Sequence, residues 1–590
     1  MKILGLCTMG NSAACIVING FVISAIEEER LSRIKNDGGF PLKAIKRCMS
    51  DKKISFKEID AIAVYWQPWR IFTRVLGLLK LFLENPLYIK YFFSSILQSF
   101  FGYKKNNDYP ELSGSWFELF FIKSKLQSNF ENFDEFKGKI YFLDHHECHA
   151  ASSAFISGFS EKICLTFDGG GESISTAIFL CDKNQNLKKI KSLNWPNSLG
   201  HFYSAFTGYL GFRMLEGEYK MMGLAPYGNP KYKDIILDNI LLKKNDGSYY
   251  LNTKILNYHM ALNGKFSSEL ERLFGPPRKK SDVFSQKHKD IASSVQSAFE
   301  EILLHMLKWV KSEYSDYNNL CIAGGCALNV TANGKVISRG LFDQIFIPPG
   351  PHDAGSAIGA AFLVERNNSN KTEFTMKDAY TGPSYDDSFI INTFKKLNLS
   401  IPTKMNEINL LNFTSKKLAE GQVIAWFQSS SEFGPRALGN RSFLADPRYD
   451  NIRETINQKI KKRELFRPFA PSCKLEVRNT FFEINQDSPF MNIVANVKKE
   501  KMNIIPAVTH TDGTARVHTV SRETNELYWK LLDQFEKITG VGVLLNTSFN
   551  IQEPIVESPL DAIKCFLRSK VDVLVIGNYV CDAKWRSINT

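Results

Sequence analysis

Three of the chain's 10 histidines fall within five positions of the stretch YFLDHHECHAASSAF, Tyr141 to Phe155. His145 and His149 are four residues apart. On a helix they stand one turn above each other on the same face. Two imidazoles so placed can serve one divalent metal, or can be an ordinary polar pair. The zincin motif His-Glu-x-x-His is absent, because Glu147 follows His145 by two positions. Further on, CLTFDGGGES places Asp168 at the end of an apolar, strand-like run, with Gly169 and Gly170 after it. Glycines let a backbone pass close to a phosphate with its amides turned inward. A carboxylate at the strand end can then meet a metal that accompanies the phosphate. A plain glycine turn would look the same. NLCIAGGCALNVTANGK repeats the arrangement: a strand, Gly324 and Gly325, then a helix start with Asn329 and Asn333. These suit the ribose or phosphates of a nucleotide at a helix N-terminus. IPPGPHDAGSAIGAA supplies a third acid, Asp353, in a turn whose small residues permit close packing or close ligand approach.

A second group of candidates binds anions. SSSEFGPRALGNRS offers Arg436 and Arg441; IKKRELFRPFAPS adds Lys461, Lys462, Arg463 and Arg467; DGTARV adds Arg516. LLNTSFN ends an apolar strand with Asn546, Thr547, Ser548 and Asn550. Guanidinium forks pair with phosphate oxygens while Ser and Asn orient the rest. The set suits a small, highly charged phosphate compound next to ATP. A lone Arg is more often a solvated surface charge, but several here are held between Gly, Pro and Phe.

Strands alternating with helices must position these groups, which implies an α/β layered architecture. Residues 1–35 read as strand, turn, strand around Gly10-Asn11-Ser12 and Ile18-Asn19-Gly20, then a helix start at EEERLSRIK. Strand-like runs recur at KIYFL, KICLTFD, STAIFLC, NLCIAGG and QIFIP, with a long helical pattern over 290–313. Residues 365–386 lose periodicity and read as a linker. Beyond it come GQVIAWF, helices through 450–462, GVGVLLNTS, a helix capped by Ser558 with Pro559 at its first position, and VDVLVIG. No internal sequence repeat is visible.

At 590 residues the chain implies two or three domains. The net charge is +13 and the pI about 9.0. The basic residues are spread, with no run of five, which argues against nucleic acid and fits polyanionic small molecules. Eleven scattered cysteines without a Cys-x-x-Cys pair read as reduced thiols. No signal-peptide layout is visible, so a cytoplasmic location is expected. The aromatic stretch 70–103 is broken by Lys80, Glu84, Asn85, Pro86 and Lys90, so it cannot span a membrane as one helix. Two amphipathic helices broken at Asn85-Pro86 are expected. A packed insertion, a substrate lid and a membrane-surface contact all fit them.

Taken together, nine ordered motifs resemble the O-carbamoyltransferases of the nodulation-protein and cephalosporin or tobramycin carbamoyltransferase family. They are EEERLSRIK, DHHECHA, FDGGGES, EGEYKMMGLAPYG, AGGCALNVTAN, EFGPRALGNRSFLADPR, KKRELFRPFAPS, DGTARV and LLNTSFN. The resemblance covers nearly the full length. It implies an actin/hsp70/sugar-kinase-like (ASKHA) N-terminal domain over 1–370 with a helical insertion at about 64–130, and a YrdC-like α/β domain over 385–590. It implies that His145, His149, Asp168 and Asp353 bind a metal, Fe2+ by family habit, with Mg2+ accompanying ATP. It implies that Lys461 and Arg516 hold carbamoyl phosphate or its adenylate, and that the carbamoyl group passes through carbamoyl adenylate to a hydroxyl of a small molecule or glycan. The rival readings are a tRNA-modifying carbamoyl or threonylcarbamoyl transferase, a sugar kinase of the same fold, and a non-catalytic scaffold. Two departures stand out: Gly10-Asn11 replaces the family's His-Asp, and NIQEPIV lacks a glycine before Glu-Pro. The acceptor and the oligomeric state are not legible.

Overall fold

The first apolar run forms β1 (Lys2–Cys7), and Gly10-Asn11-Ser12 turns the chain into β2 (Ala13–Ile18). Asn19-Gly20 turns it again into β3 (Phe21–Glu27), and all three pair antiparallel. β4 (Ala61–Val64) and β5 (Lys139–Phe142) add parallel to β1, giving the order β3-β2-β1-β4-β5. β6 (Lys162–Phe167), β7 (Ile174–Cys181) and β8 (Leu187–Asn194) make a second antiparallel meander. After a small hairpin of β9 (Leu241–Lys243) and β10 (Tyr249–Leu251), β11 (Asn319–Ala323) and β12 (Gln344–Phe346) join β6 in parallel. The second sheet runs β12-β11-β6-β7-β8. Order and pairing directions are those of the first sheet. No sequence repeat announces this duplication, because a sheet needs an apolar pattern and not particular residues. The unit is an α/β fold built on two five-stranded sheets of the same topology.

This computed structural model describes residues 1–84, 93, 116–258, 265–368 and 374–589. The chain divides into two compact units, Met1–Ser32 with Asn36–Met376 and Arg33–Lys35 with Lys377–Thr590. Nothing in the sequence foretold that Arg33–Lys35 group with the second unit.

Three helices of the first unit matter most: α1 (His145–Ala154), α2 (Gln286–Glu313) and α3 (Asp353–Asn368). α3 packs on α1 and β1. Gly359 lies against the Cys148 carbonyl, where any Cβ would collide. The small residues of that motif therefore serve close helix packing. The insertion begins with the helix Ile71–Glu84, and a 3-10 turn (Trp116–Phe121) and a helix (Ile122–Asn129) follow later. The second helix expected after Asn85-Pro86, with Phe92 and Phe101, lies outside the described residues. Among the described residues, no helix is long and apolar enough to cross a membrane.

The second unit is built on one ten-stranded sheet. Its strands, in spatial order, are Thr403–Lys404, Tyr579–Cys581, Val573–Ile576, Ile424–Phe427, Arg441–Ala445, Val543–Ser548, Ala470–Lys474, Thr514–Val520, Ile493–Val497 and Phe482–Glu483. Helices α4 (Glu407–Ala419) and α5 (Glu526–Thr539) pack Leu410, Leu531 and Phe535 into a core with Trp426 and Leu544. α6 (Pro559–Arg568) starts as its sequence indicates, with Ser558 Oγ accepting from Asp561 N at 3.2 Å. The helical pattern at 450–462 resolves into a short α-turn, Ile452–Glu454, and a π-turn, Thr455–Ile460, which delivers Lys461. All eleven cysteines are free.

Candidate functional site

α1 begins at Asp144, whose Oδ1 accepts from Glu147 N at 3.0 Å and so satisfies a free amide of the first turn. Ala150, Ala151 and Ala154 then favour helix. This places the rings of His145 and His149 edge to face, 4.5 Å apart. Asp168 leaves the C-terminal end of β6, and Asp353 opens α3. One donor atom from each of the four lies within 4.8 Å of the others. His149 Nε2 is 3.1 Å from Asp168 Oδ2 and 3.5 Å from Asp353 Oδ1; His145 Nε2 is 3.7 and 3.9 Å from the same atoms. Two donors bound to one ion at about 2 Å stand roughly 3 Å apart, so the cluster has the right size.

The donor set also fits a cation chemically. All four ring nitrogens of His145 and His149, and Asp168 Oδ2, are buried without a hydrogen-bond partner. Orphaned buried groups of this number are costly unless something binds them. Burial pulls the His149 imidazole down, but the carboxylates of Asp168 and Asp353 outweigh it and raise it to about 9. Against its own burial, Asp168 is held well below the usual carboxylate range by His145 and His149. Two imidazoles and two carboxylates are a mixed N/O set for a borderline divalent ion.

His146 is excluded from this cluster. Its Nε2 donates to the Ile174 carbonyl at 2.9 Å and its Nδ1 faces Thr166 Oγ1 at 2.8 Å. Burial, reinforced by the neighbouring histidines, pushes it down to about 3. It is a neutral clamp between α1 and the strands β6 and β7.

Gly10 is dictated by its surroundings. Gly10 has φ +71° and lies against Asp353 Oδ2, leaving no room for a side chain. The Tyr65 hydroxyl holds this loop through the Met9 carbonyl at 3.0 Å, and Cys7 Sγ lies 3.3 Å from the Met9 and Asn11 carbonyls. Of the glycine-rich candidates, Gly169 N donates to Asp168 Oδ1 at 2.6 Å, and Gly170 lies beside Trp195 and Arg74. Gly324, with φ +95°, passes the Phe167 carbonyl, and Gly325 faces Asp168 Oδ1. Gly169 and Gly325 therefore border the cluster. The expectation for Asn329 and Asn333 is corrected. Asn329 caps the helix Val330–Ser338 and pairs with Gln296 in both directions at 3.0 Å. Asn333 is fully buried and donates to the Ala327 carbonyl at 2.7 Å. The Asn329 amide is committed to local structure, as is Nδ2 of Asn333.

Sequence reasoning missed two supports of α1. Asp144 Oδ2 accepts from Arg70 Nη1 at 2.9 Å. Glu172 accepts from Gln67 N at 3.0 Å and from His145 N at 3.4 Å, and burial pushes its carboxyl up to about 7. Asp144 carried a legible signal, an acid placed directly before a helical pattern. Glu172 lay in FDGGGES but is a contact of tertiary structure.

The second unit collects the expected cations. Lys461 is buried, and its Nζ donates to the Ser548 carbonyl at 2.5 Å, Ser548 Oγ at 3.0 Å and Asn550 Oδ1 at 2.9 Å. All three acceptors are neutral. Burial, then Arg463 and Arg467, hold this amine well below the usual lysine range. Arg516 is pushed down by burial and by Arg436, Arg463 and Arg467. Arg436 is lowered by burial to about 10. The Nε atoms of Arg436 and Arg516 are buried and unpartnered. Buried cations gathered in one place suit a polyanion. Asn546 donates to the Ala437 carbonyl and to Ser472 Oγ at 3.1 and 2.9 Å, leaving its buried Oδ1 unpartnered. Arg441 requires correction. It is fully buried, stacked 3.8 Å over Phe427, and donates to carbonyls of Gln428, Ser429, Asn440, Pro383 and Glu557. No donor is left for a phosphate. Gln552 donates to the Lys462 carbonyl at 3.0 Å and so braces the same loop.

Comparison with known proteins identifies the family of the chain. Residues 2–362 match the family described as Carbamoyltransferase N-terminus, and residues 415–583 match Carbamoyltransferase C-terminus. The chain is 39% identical to protein sll1178 of Synechocystis sp., over 98% of this chain and 97% of that one. It is 36% identical to the nodulation protein NolNO of Sinorhizobium fredii, over 98% of this chain and 80% of that one. Among solved structures, full-length HypF in its phosphate- and nucleotide-bound form is 11% identical, with a TM-score of 0.33, covering 63% of this chain and 47% of that one. The chain belongs to the carbamoyltransferase family and is an enzyme that transfers a carbamoyl group.

Proposed function

We propose that the protein is an ATP-dependent O-carbamoyltransferase working in two stages at its two sites. In the second unit, Lys461, Arg436, Arg463, Arg467 and Arg516 bind carbamoyl phosphate and ATP; water cleaves carbamoyl phosphate to carbamate and phosphate, and a carbamate oxygen then attacks the α-phosphorus of ATP, giving carbamoyl adenylate and releasing pyrophosphate. The arginines neutralise the phosphoryl oxygens, and Ser548 and Asn550 orient the Lys461 amine. In the first unit, a hydroxyl of a small molecule or glycan attacks the carbamoyl carbon and AMP leaves. His145, His149, Asp168 and Asp353 would hold a divalent ion there, which supplies a positive charge for oxygens that become negative during transfer. Gly169 and Gly325 border that position, and with Gly170 and Gly324 they would take the nucleotide phosphate. The helix Ile71–Glu84 supports its role as a cap on the acceptor side: Arg74 stacks 3.9 Å over Trp195, and both lie beside Gly170.

The observation that carries the first-unit assignment is the convergence of four donor atoms within 4.8 Å, taken with the family of the chain. The test is incubation with ATP, carbamoyl phosphate and candidate acceptors, reading pyrophosphate release and a carbamoyl mass gain. Arg516→Ala should stop pyrophosphate release, whereas His149→Ala should spare it and lose transfer. Equal loss of pyrophosphate release in both variants would contradict the two-site scheme. Release of ADP in place of pyrophosphate would point to a kinase.

A further inference from the structure

The His510 ring has one nitrogen held and one left over. A turn precedes the strand Thr514–Val520, closed by His510 N donating to the Thr514 carbonyl at 2.7 Å and Gly513 N donating to the His510 carbonyl at 2.9 Å. His510 Nδ1 lies 3.2 Å from Thr514 Oγ1. That hydroxyl has a single proton, which it donates to the carboxylate oxygen Asp512 Oδ1 at 2.7 Å. Thr514 Oγ1 must therefore accept from His510, so Nδ1 bears the ring proton and Nε2 the lone pair. Nε2 is buried and has no hydrogen-bond partner.

The ring stands among the cations of the second unit. Thr514 and Arg516 share one face of their strand, and the ring is bonded to Thr514. Phe469, whose carbonyl lies near the imidazole, has its own ring 4.8 Å under the Arg463 guanidinium. Burial pushes the imidazole down to about 4, with Arg516 and Arg453 reinforcing it and Asp512 and the Phe469 carbonyl opposing it. The ring is neutral near pH 7 and can accept a proton. A bound dianion beside Arg516 would offset that guanidinium and make the ring more basic when substrate is present.

We propose, on the two-stage reading above, that His510 is the general base for the water that cleaves carbamoyl phosphate. The water oxygen bonds to the carbonyl carbon as one of its protons passes to Nε2. The bond from carbon to the phosphate oxygen breaks, and Nε2 returns that proton to the leaving phosphate, whose charge the arginines neutralise. The carbamic acid loses its own proton to solvent and is left as carbamate. Asp512 and Thr514 are positioning residues that keep the lone pair on Nε2.

The test compares two carbamoyl sources. With carbamoyl phosphate, His510→Gln should release phosphate at least about 100-fold more slowly. Ammonium bicarbonate solution contains carbamate, the product of that step. With it and ATP, the variant should release pyrophosphate as fast as the unaltered protein. Inorganic phosphate should raise the melting temperature of both equally, because the substitution removes no cation. Thr514→Val frees the ring's tautomer without touching the ring, and should lower kcat for phosphate release while leaving KM. Undiminished phosphate release in His510→Gln would overturn the proposal alone. So would loss of pyrophosphate release with both sources, or loss of stabilisation by phosphate, since either would make the role structural. An unaltered protein that is inactive with both sources would overturn the two-stage reading and this proposal with it.

Discussion

Arg70 Nη1 donates to Asp144 Oδ2 at 2.9 Å, and Asp144 is the N-cap of the helix that carries His145 and His149. The first residues of the insertion are thereby tied to the cluster of candidate metal ligands. Gln67 N, bonded to Glu172, adds a second tie from the same segment. Asp144→Ala removes both the cap and the ion-pair partner. It should cost about 1–2 kcal/mol in stability, and the bound metal per chain, read by elemental analysis, should fall. Arg70→Ala, which keeps the cap, should do less.

His149→Ala should abolish metal binding while keeping the fold, since alanine suits a helix interior. Metal content and circular dichroism together check this. A variant that holds no metal yet transfers the carbamoyl group at full rate would refute the assignment.

Gly10 faces Asp353 Oδ2 with φ +71°. Gly10→Ala introduces a Cβ where the carboxylate lies and forces a non-glycine residue into left-handed backbone, at a cost of roughly 1–2 kcal/mol. The expected outcome is displacement of Asp353 and weaker metal binding. Unchanged metal affinity would show that Asp353 is not a required ligand.

Arg516 sits among three other guanidiniums. Arg516→Met relieves this repulsion. The metal-loaded, anion-free protein should become more stable, by on the order of 1 kcal/mol. The stabilisation that added phosphate or carbamoyl phosphate gives the unaltered protein should shrink in the variant. Thermal melts with and without the anion measure both effects.

His518 is buried, with Nδ1 2.7 Å from Ser472 Oγ, and burial pushes it down to about 3. The unfolded chain protonates this ring near pH 6.5. Between about pH 6.5 and 3 the unfolded state binds the extra proton, so stability falls as pH falls through that window and is fully present above it. His518→Asn should flatten the acid loss by a few kcal/mol on the order-of-magnitude scale of such shifts, as read by urea unfolding at pH 7 and pH 4.5.

Much of this protein was legible in its sequence for local reasons. The i, i+4 spacing of His145 and His149 needs only a helix to become a shared face, and Asp144 starts that helix by chemistry confined to one turn. The first hairpin follows from apolar runs around Gly10-Asn11-Ser12, and α6 follows from Ser558-Pro559. Strands such as Ile424–Phe427 and Val543–Ser548 are plain apolar runs. The tertiary structure decided what depends on residues far apart in the chain. It brought Asp168 and Asp353, 185 positions apart, within 4.8 Å of the histidines. It sorted arginines that look alike in sequence: Arg441 is enclosed by carbonyls, while Arg436 and Arg516 keep buried, unpartnered nitrogens. It withdrew Asn329 and Asn333 into a helix cap and a buried bond, because whether a polar side chain is free depends on where its neighbours fold. It duplicated a five-stranded sheet without repeating a motif, since topology rests on pairing and burial and not on residue identity. It also turned the apolar stripe of Ile71–Glu84, with Phe72, Leu76 and Leu83, outward. Periodicity gives the stripe, but only the packing of Arg74 and Gly77 on Trp195 fixes which side of the helix meets the solvent.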